Sequence, residues 1–345
     1  MKTNSNSDLN AEKISKMRPK ALHDRALLLR KRCGEEFFKK FNSEFVSVEC
    51  PGCGAHTGIP RLFNKYGFRH CRCKNCKTLF CSPRPQEDLL TCYYDDYDAP
   101  AYWTTLLVAT DSHRKAIQYA PRAEKIADLI KKRGISSGMS ACDVGAGSGA
   151  FALALKNTGF FSQVVALDLS QKCVDACRGV GLEARLGSVG DLEPESVGLL
   201  TMNDVIEHVF SPVAFLKQAR NVLRSGGLIA IATPNGEGFD FKILGKKTVN
   251  ITPPEHLQYF NPVSMKILLE RTGFEVLVNE TPGVLDIQIV VREINNRNLK
   301  LSINNNWLNY LLLETDDITV TNFQRFLSEN SLSSHLFVIA RKQSL

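Results

Sequence analysis

From about residue 122 onward, short apolar runs alternate with stretches in which apolar positions recur every three or four residues. The runs predict strands near 139–144, 163–168, 183–187, 197–203, 227–233 and 273–279. The stretches between them predict helices opening near Ala123, Gly149, Ser170, Pro212 and Pro262, several with serine or proline at the opening position. Such alternation predicts an α/β fold, a parallel sheet whose strands are joined by crossover helices. Beyond Pro282 the chain turns asparagine-rich and helical before a last strand-like LFVIA at 336–340, so residues 284–333 read as a helical insertion ahead of the final strand.

The front of the chain follows a different rhythm. Residues 1–10 form a polar tail, and Leu22, Ala26, Leu29 and Cys33 repeat at helical spacing within 11–41, with Pro19 interrupting that helix or marking its start. Residues 46–85 are rich in turn formers, and the aromatic, acidic CYYDDYDAPAYW begins a connector over about 86–120. The expected organisation is a tail and helix over 1–45, a small module with its connector over 46–100, and the α/β domain over 101–345.

Apolar residues make up 43% of the 345, charged residues 23%, and mean hydropathy is −0.14, the balance of a globular chain. No apolar run approaches the roughly 20 residues that span a bilayer, and the polar start lacks a signal-peptide core. The expectation is a cytoplasmic protein. Eight of the eleven cysteines lie before residue 93, and clustered cysteines without a secretion signal point to metal rather than disulfides. Cys50-Pro-Gly-Cys53 and Cys73-Lys-Asn-Cys76 lie 19 residues apart, the spacing of two zinc knuckles facing each other. Four thiolates leave no open position for water, so the expected zinc is structural, with Cys71 and Cys81 as substitute ligands. Residues 1–90 carry a formal +9 and the rest −2. A tetrathiolate zinc would lower the front to +7 and weaken any charge argument for nucleic acid.

Asp143-Val144-Gly145-Ala146-Gly147-Ser148-Gly149 ends one expected strand and opens a helix, so its backbone can approach a nucleotide-like ligand closely. Gly145, Gly147 and Ala150 also satisfy a loose dinucleotide fingerprint. Asp143 discriminates: its carboxylate would repel a pyrophosphate but attract the ammonium and sulfonium of S-adenosylmethionine. Asp168 ends the next strand, 19 residues after Gly149, where a carboxylate can accept both ribose hydroxyls. Ser188-Val189-Gly190-Asp191-Leu192 follows the third strand, where one apolar and one polar residue could meet an adenine ring.

These segments resemble the class I S-adenosylmethionine-dependent methyltransferases. The likeness covers about 122–282 through DVGAGSG, LDLS, NDVIEHV at 203–209, RNVLRSGG at 220–227 and IAIATPN. Cys50 through Pro85 resembles the N-terminal zinc-ribbon-like module of one branch of that superfamily, which includes deoxysugar C-methyltransferases and enzymes of polysaccharide biosynthesis. Pro254-Glu255-His256-Leu257 and Tyr259-Phe260 add to the likeness. It implies a Rossmann-like seven-stranded sheet with an antiparallel last strand. It also implies that Asp143, Gly145 and Gly147 hold the methionine end, Asp168 and Leu169 the ribose and adenine, and Ser188 and Val189 the adenine edge. Asn203 and Asp204 would face the methionine moiety, while His208 and the Glu255-His256 pair would face the acceptor as catalytic groups. Pro253 stands where the sugar C-methyltransferases carry a tyrosine, which argues against direct C-methylation of a keto-sugar.

The expected activity is therefore methyl transfer from S-adenosylmethionine to oxygen or carbon of a sugar, nucleotide sugar or other small polar metabolite, in glycan or secondary-metabolite biosynthesis. Two other classes compete. An RNA methyltransferase would use the basic front with Phe63, Tyr66, Phe68 and Arg69, although the acceptor loops lack the cysteine or Asn-Pro-Pro-aromatic patterns common among base methylators. A non-catalytic binding protein could keep the fold, but the intact Asp143, Gly145, Gly147 and Asp168 set argues against it.

Overall fold

The computed structural model describes residues 19–135, 137–296, 306–313 and 315–344. The expected tail and the first part of the expected N-terminal helix lie outside these residues. Helix α1 (Lys20–Phe41) opens directly after Pro19, which marks its start.

The larger sheet contains β4 (Ser140–Val144), β5 (Gln163–Asp168), β6 (Glu183–Leu186), β7 (Val197–Asn203), β8 (Leu223–Pro234), β10 (Phe274–Glu280) and β11 (His335–Lys342), in the order β10-β11-β8-β7-β4-β5-β6. Strands β4 to β8 pair in parallel, and β11 runs antiparallel to both β8 and β10. This is the expected seven-stranded sheet with an antiparallel last strand. One boundary differs: β8 begins at Leu223, opposite Val197, and residues 224–227 bulge outward before pairing resumes at Leu228 opposite Leu199.

Helices cover both faces because each carries an apolar stripe. In α4 (Ala120–Lys132) the buried residues Ala123, Ile126, Ala127 and Ile130 recur at helical spacing. They join Phe151 and Leu155 of α5 (Ala150–Asn157) and Val174 of α6 (Gln171–Gly179) in one core. On the other face Leu216 and Ala219 of α7 (Pro212–Val222) pack with Met265 and Leu268 of α9 (Pro262–Arg271). Three helices, α10 (Asp286–Asn296), α11 (Asn306–Leu313) and α12 (Asp317–Glu329), precede β11 and pack against α8 (Phe239–Leu244) through Ile287, Val290, Leu327 and Phe239. The expected insertion over 284–333 is helical where described; residues 297–305 and 314 fall outside the described residues.

The front module folds around β1 (Arg61–Lys65), β2 (Phe68–Arg72) and β3 (Leu79–Cys81), strands that the turn-rich text did not predict. Its fourth strand, β9 (Gln258–Tyr259), comes from the far half of the chain, pairing Leu79 with Tyr259 and Phe80 with Gln258. Two further ties reinforce this join: Asn261 Nδ2 donates to the Cys76 carbonyl at 2.9 Å and Arg271 to the Gly52 carbonyl at 2.8 Å. The small sheet is therefore not closed by residues 46–100 alone. Among the described residues, no helix is long and apolar enough to cross a membrane.

Candidate active site

Between β4 and β7 the chain changes direction across the sheet, because β5 and β6 build outward on one side of β4 and β7 and β8 on the other. Open α/β sheets bind ligands at the carboxyl ends of the strands flanking such a switch. The glycine loop leaves β4 there, with Gly145 at φ +68° and Gly147 at φ +56°, conformations that L side chains rarely adopt. The two glycines serve different needs. A Cβ on Gly145 would lie 2.6 Å from Val205 Cγ2, so that position is glycine for packing. A Cβ on Gly147 would meet nothing within 4 Å, leaving an open cradle beside the backbone.

Asp168 holds this loop. One carboxylate oxygen accepts Gly147 N–H and the other Ser170 N–H, both at 2.9 Å. Leu169, next in sequence, is 77% exposed, an apolar surface at the end of β5. Asp143 is 2% exposed, its Oδ1 accepting from the Thr201 hydroxyl at 2.7 Å. Burial pushes its carboxyl up to about 7, an effect that the Thr201 bond opposes. A cation drawn near it would restore its charge. Ala146 is buried in the core, so its backbone rather than its side chain belongs to the loop surface.

Of the two residues expected at the adenine edge, Val189 needs correction. Val189 is fully buried with Leu216 and Ala219 in the core, so its side chain cannot line a solvent-reachable cavity. Ser188 has a local partner: its hydroxyl and N–H both go to Asp191, capping a short turn at 2.8 and 2.7 Å. At the end of β7, Asn203 Oδ1 accepts from Arg122 at 2.6 Å, and Asp204 adopts φ +53° at the tip. Arg122, which the sequence reading missed, is a cation whose burial lowers its pKa, set beside Asp204, Tyr119 and Asp143. A guanidinium there could take a ligand carboxylate. The residues present thus fit S-adenosylmethionine: an open cradle at Gly147, a buried acid, a half-buried guanidinium and an exposed leucine, each matching a different part of that molecule.

His208 and His256 meet, with ring centroids 4.6 Å apart and planes near perpendicular. The Tyr94 hydroxyl of α2 (Glu87–Asp96) lies 2.7 Å from His208 Nδ1, and His256 Nδ1 lies 2.8 Å from the Asn250 carbonyl. The loops are fixed by Leu257 N–H on the Glu207 carbonyl and by Gln258, whose amide donates to the Ile206 and Val209 carbonyls, all at 2.8 Å. Burial lowers the pKa of both imidazoles, that of His208 to about 4, so both are neutral near pH 7.

Glu255 takes a different role from the one expected. Arg30 of α1 grips it with two bonds, Nε to Oε1 at 3.2 Å and Nη2 to Oε2 at 2.6 Å, and the Tyr93 hydroxyl adds a third at 3.4 Å. Arg30 and Glu255 are 5% and 3% exposed. A carboxylate so committed positions its loop and is not free to move a proton. Tyr259 is fully buried, its hydroxyl donating to the His256 carbonyl, and Tyr102 donates to the Leu22 carbonyl.

The cysteines Cys50, Cys53, Cys73 and Cys76 converge. Their sulfurs all lie within 4.8 Å of one another, with Cys50 to Cys76 at 3.4 Å and Cys53 to Cys73 at 3.6 Å. Four sulfurs bound tetrahedrally at about 2.3 Å would sit about 3.8 Å apart, so the cluster fits a zinc ion. Cys71 and Cys81 are not substitutes, since their sulfurs face the Ser82 carbonyl and His70 Nε2. The front aromatics are no stacking platform: Phe68 is buried between Phe38 and Phe45, Phe63 stacks on His70, and Arg69 donates to the Ser82 carbonyl.

Residues 117–278, which hold the glycine loop and both histidines, match the family model described as a methyltransferase domain. That segment, just under half of the chain, is similar to methyltransferase domains. Outside it lie the cysteine cluster, α1 and the helices before β11. The ubiquinone biosynthesis O-methyltransferase of Xanthomonas axonopodis pv. citri is 26% identical over 164 residues, 43% of this chain and 68% of that protein. The protein of the same name from Xanthomonas campestris pv. campestris (strain B100) is 32% identical over 117 residues, 31% of this chain and 48% of the relative. The match thus spans between about half and two thirds of these relatives. Among solved structures, an S-adenosylmethionine-dependent methyltransferase from Mesorhizobium loti has a TM-score of 0.41 at 16% identity, covering 64% of this chain and 98% of its own.

Proposed function

We propose that this methyltransferase domain moves a methyl group from S-adenosylmethionine to a hydroxyl of a small polar acceptor, a sugar or nucleotide sugar being the leading class. The observation that carries the reading is the open cradle at Gly147, set at the switch point between β4 and β7. When bound, S-adenosylmethionine supplies a methyl group on a positively charged sulfur. Gly145 and Gly147 would admit its methionine end, Arg122 its carboxylate and Asp143 its cationic side, while Asp168 and Leu169 would meet the ribose and adenine.

For the acceptor, the paired imidazoles are the groups able to accept a hydroxyl proton while the loops keep it in line with the methyl. The Arg30 grip leaves Glu255 out of that proton transfer. The names of the O-methyltransferase relatives favour oxygen over carbon as the acceptor atom. The four-cysteine cluster would hold one structural zinc. By holding the strands that pair with β9, it would fix the loop carrying His256.

The reading is tested by incubating the protein with S-adenosylmethionine and a panel of nucleotide sugars and free sugars, and measuring S-adenosylhomocysteine. The expected result is turnover with one acceptor class that falls about 100-fold or more in His256→Ala or His208→Ala, with cofactor affinity kept within a few-fold. Turnover unchanged in both variants would remove the histidines from the mechanism.

A further inference from the structure

Glu207 lies beside the histidine pair and has no part in the proton transfer just described. It is fully buried, yet its Oε1 has no hydrogen-bond partner, and Oε2 is met only by the Thr233 hydroxyl at 2.9 Å. Among the described residues no lysine or arginine pairs with it. A buried carboxylate left without a counter-charge is costly, and an unsatisfied oxygen adds to that cost. One oxygen of Glu207 and one ring nitrogen each of His208 and His256 lie within 4.8 Å of one another.

The groups behind the two imidazoles are placed as metal-bound histidines require. The Asn250 carbonyl accepts the His256 Nδ1 proton, which turns the Nε2 lone pair outward, and the Tyr94 hydroxyl stands at His208 Nδ1. Two imidazoles and one carboxylate on neighbouring loops form a set suited to a divalent first-row transition ion, with further positions left open. We infer that Glu207, His208 and His256 bind such an ion, separate from the cysteine cluster, and that its open positions take an oxygen of the acceptor. The ion would supply the charge that Glu207 lacks; with it bound, the imidazoles serve as ligands in place of their role as proton acceptors, and the ion's charge instead makes the acceptor hydroxyl easier to deprotonate. Only what the ion holds rests on the methyltransferase reading; the binding itself rests on these three side chains.

Cobalt(II) titrated into the full-length protein, with the cysteine cluster already loaded with zinc, reads the second site through weak visible bands distinct from the intense thiolate bands. The wild type should take up one further equivalent. Glu207→Gln and His256→Gln should each weaken that uptake by more than about 100-fold, with zinc content and circular dichroism unchanged. No uptake beyond zinc in the wild type would overturn the inference, and so would equal uptake by both variants. S-adenosylmethionine binding on the same samples separates the two readings. A second equivalent without cofactor binding upholds the metal site and overturns the methyltransferase reading, whereas cofactor binding without a second equivalent does the reverse.

Discussion

Replacing Cys73 with serine is expected to strip the tightly held zinc from the cysteine cluster and to loosen much more than the two knuckles. A structural tetrathiolate zinc contributes about 10–16 kcal/mol of apparent binding free energy, which in a small module is largely folding free energy. Around the four sulfurs the fully buried apolar packing is limited to Cys71 and Phe80, so the ion is the main tie at the knuckles themselves. Loss of the ion should also reach the α/β domain, because β9 completes the front sheet and Asn261 is bonded to the Cys76 carbonyl. Metal analysis after dialysis and limited proteolysis check this together. The variant should lose its zinc and be cut within 46–85, while the wild type keeps about one equivalent at the cluster and resists cleavage there. A wild type that is metal-free and uncut would contradict the account.

The second large effect is expected at Glu255. Glu255→Ala leaves the Arg30 guanidinium buried with only the Trp103 ring, 3.8 Å from its carbon, as company. Breaking a buried pair on one side costs about 3–5 kcal/mol, chiefly because the surviving charge stays buried and unpaired. Replacing both partners with apolar residues, as in Arg30→Met with Glu255→Leu, should return most of that loss. Urea unfolding followed by tryptophan fluorescence, with Trp103 beside the pair, measures all three. If the single variant proved as stable as the wild type, the pair would not be holding α1 to the acceptor loop.

The α/β domain was legible because its determinants are local. Each strand is a short apolar run and each helix carries its own stripe and opening residue, so alternation alone predicts the parallel sheet. The glycine loop was legible for the same reason, since backbone freedom at Gly145 and Gly147 is written in the residue type. What escaped depends on contacts distant in sequence. Arg30 sits on the stripe of Ala26, Cys33 and Phe37, and a cation on a buried stripe signals a buried acid elsewhere, but its partner lies 225 residues away. The tyrosine-rich connector stood out as text, yet only the fold brings Tyr94 to His208. Glu255 read as a catalytic neighbour of His256 because adjacency in sequence does not reveal that the two side chains serve different partners. Val189 misled in a similar way: an apolar residue after a strand can face a ligand or the core, and here α7 covers it.

The central claim is that the loop after β4 receives S-adenosylmethionine, and calorimetric titration of the wild type and Gly147→Val tests it most directly. The valine Cβ would stand in the open cradle with nothing of the fold within 4 Å. The left-handed backbone there adds strain of about 1–3 kcal/mol. The account predicts saturable binding to the wild type and none to Gly147→Val, with the variant still folded by circular dichroism. Equal binding by both proteins would contradict it.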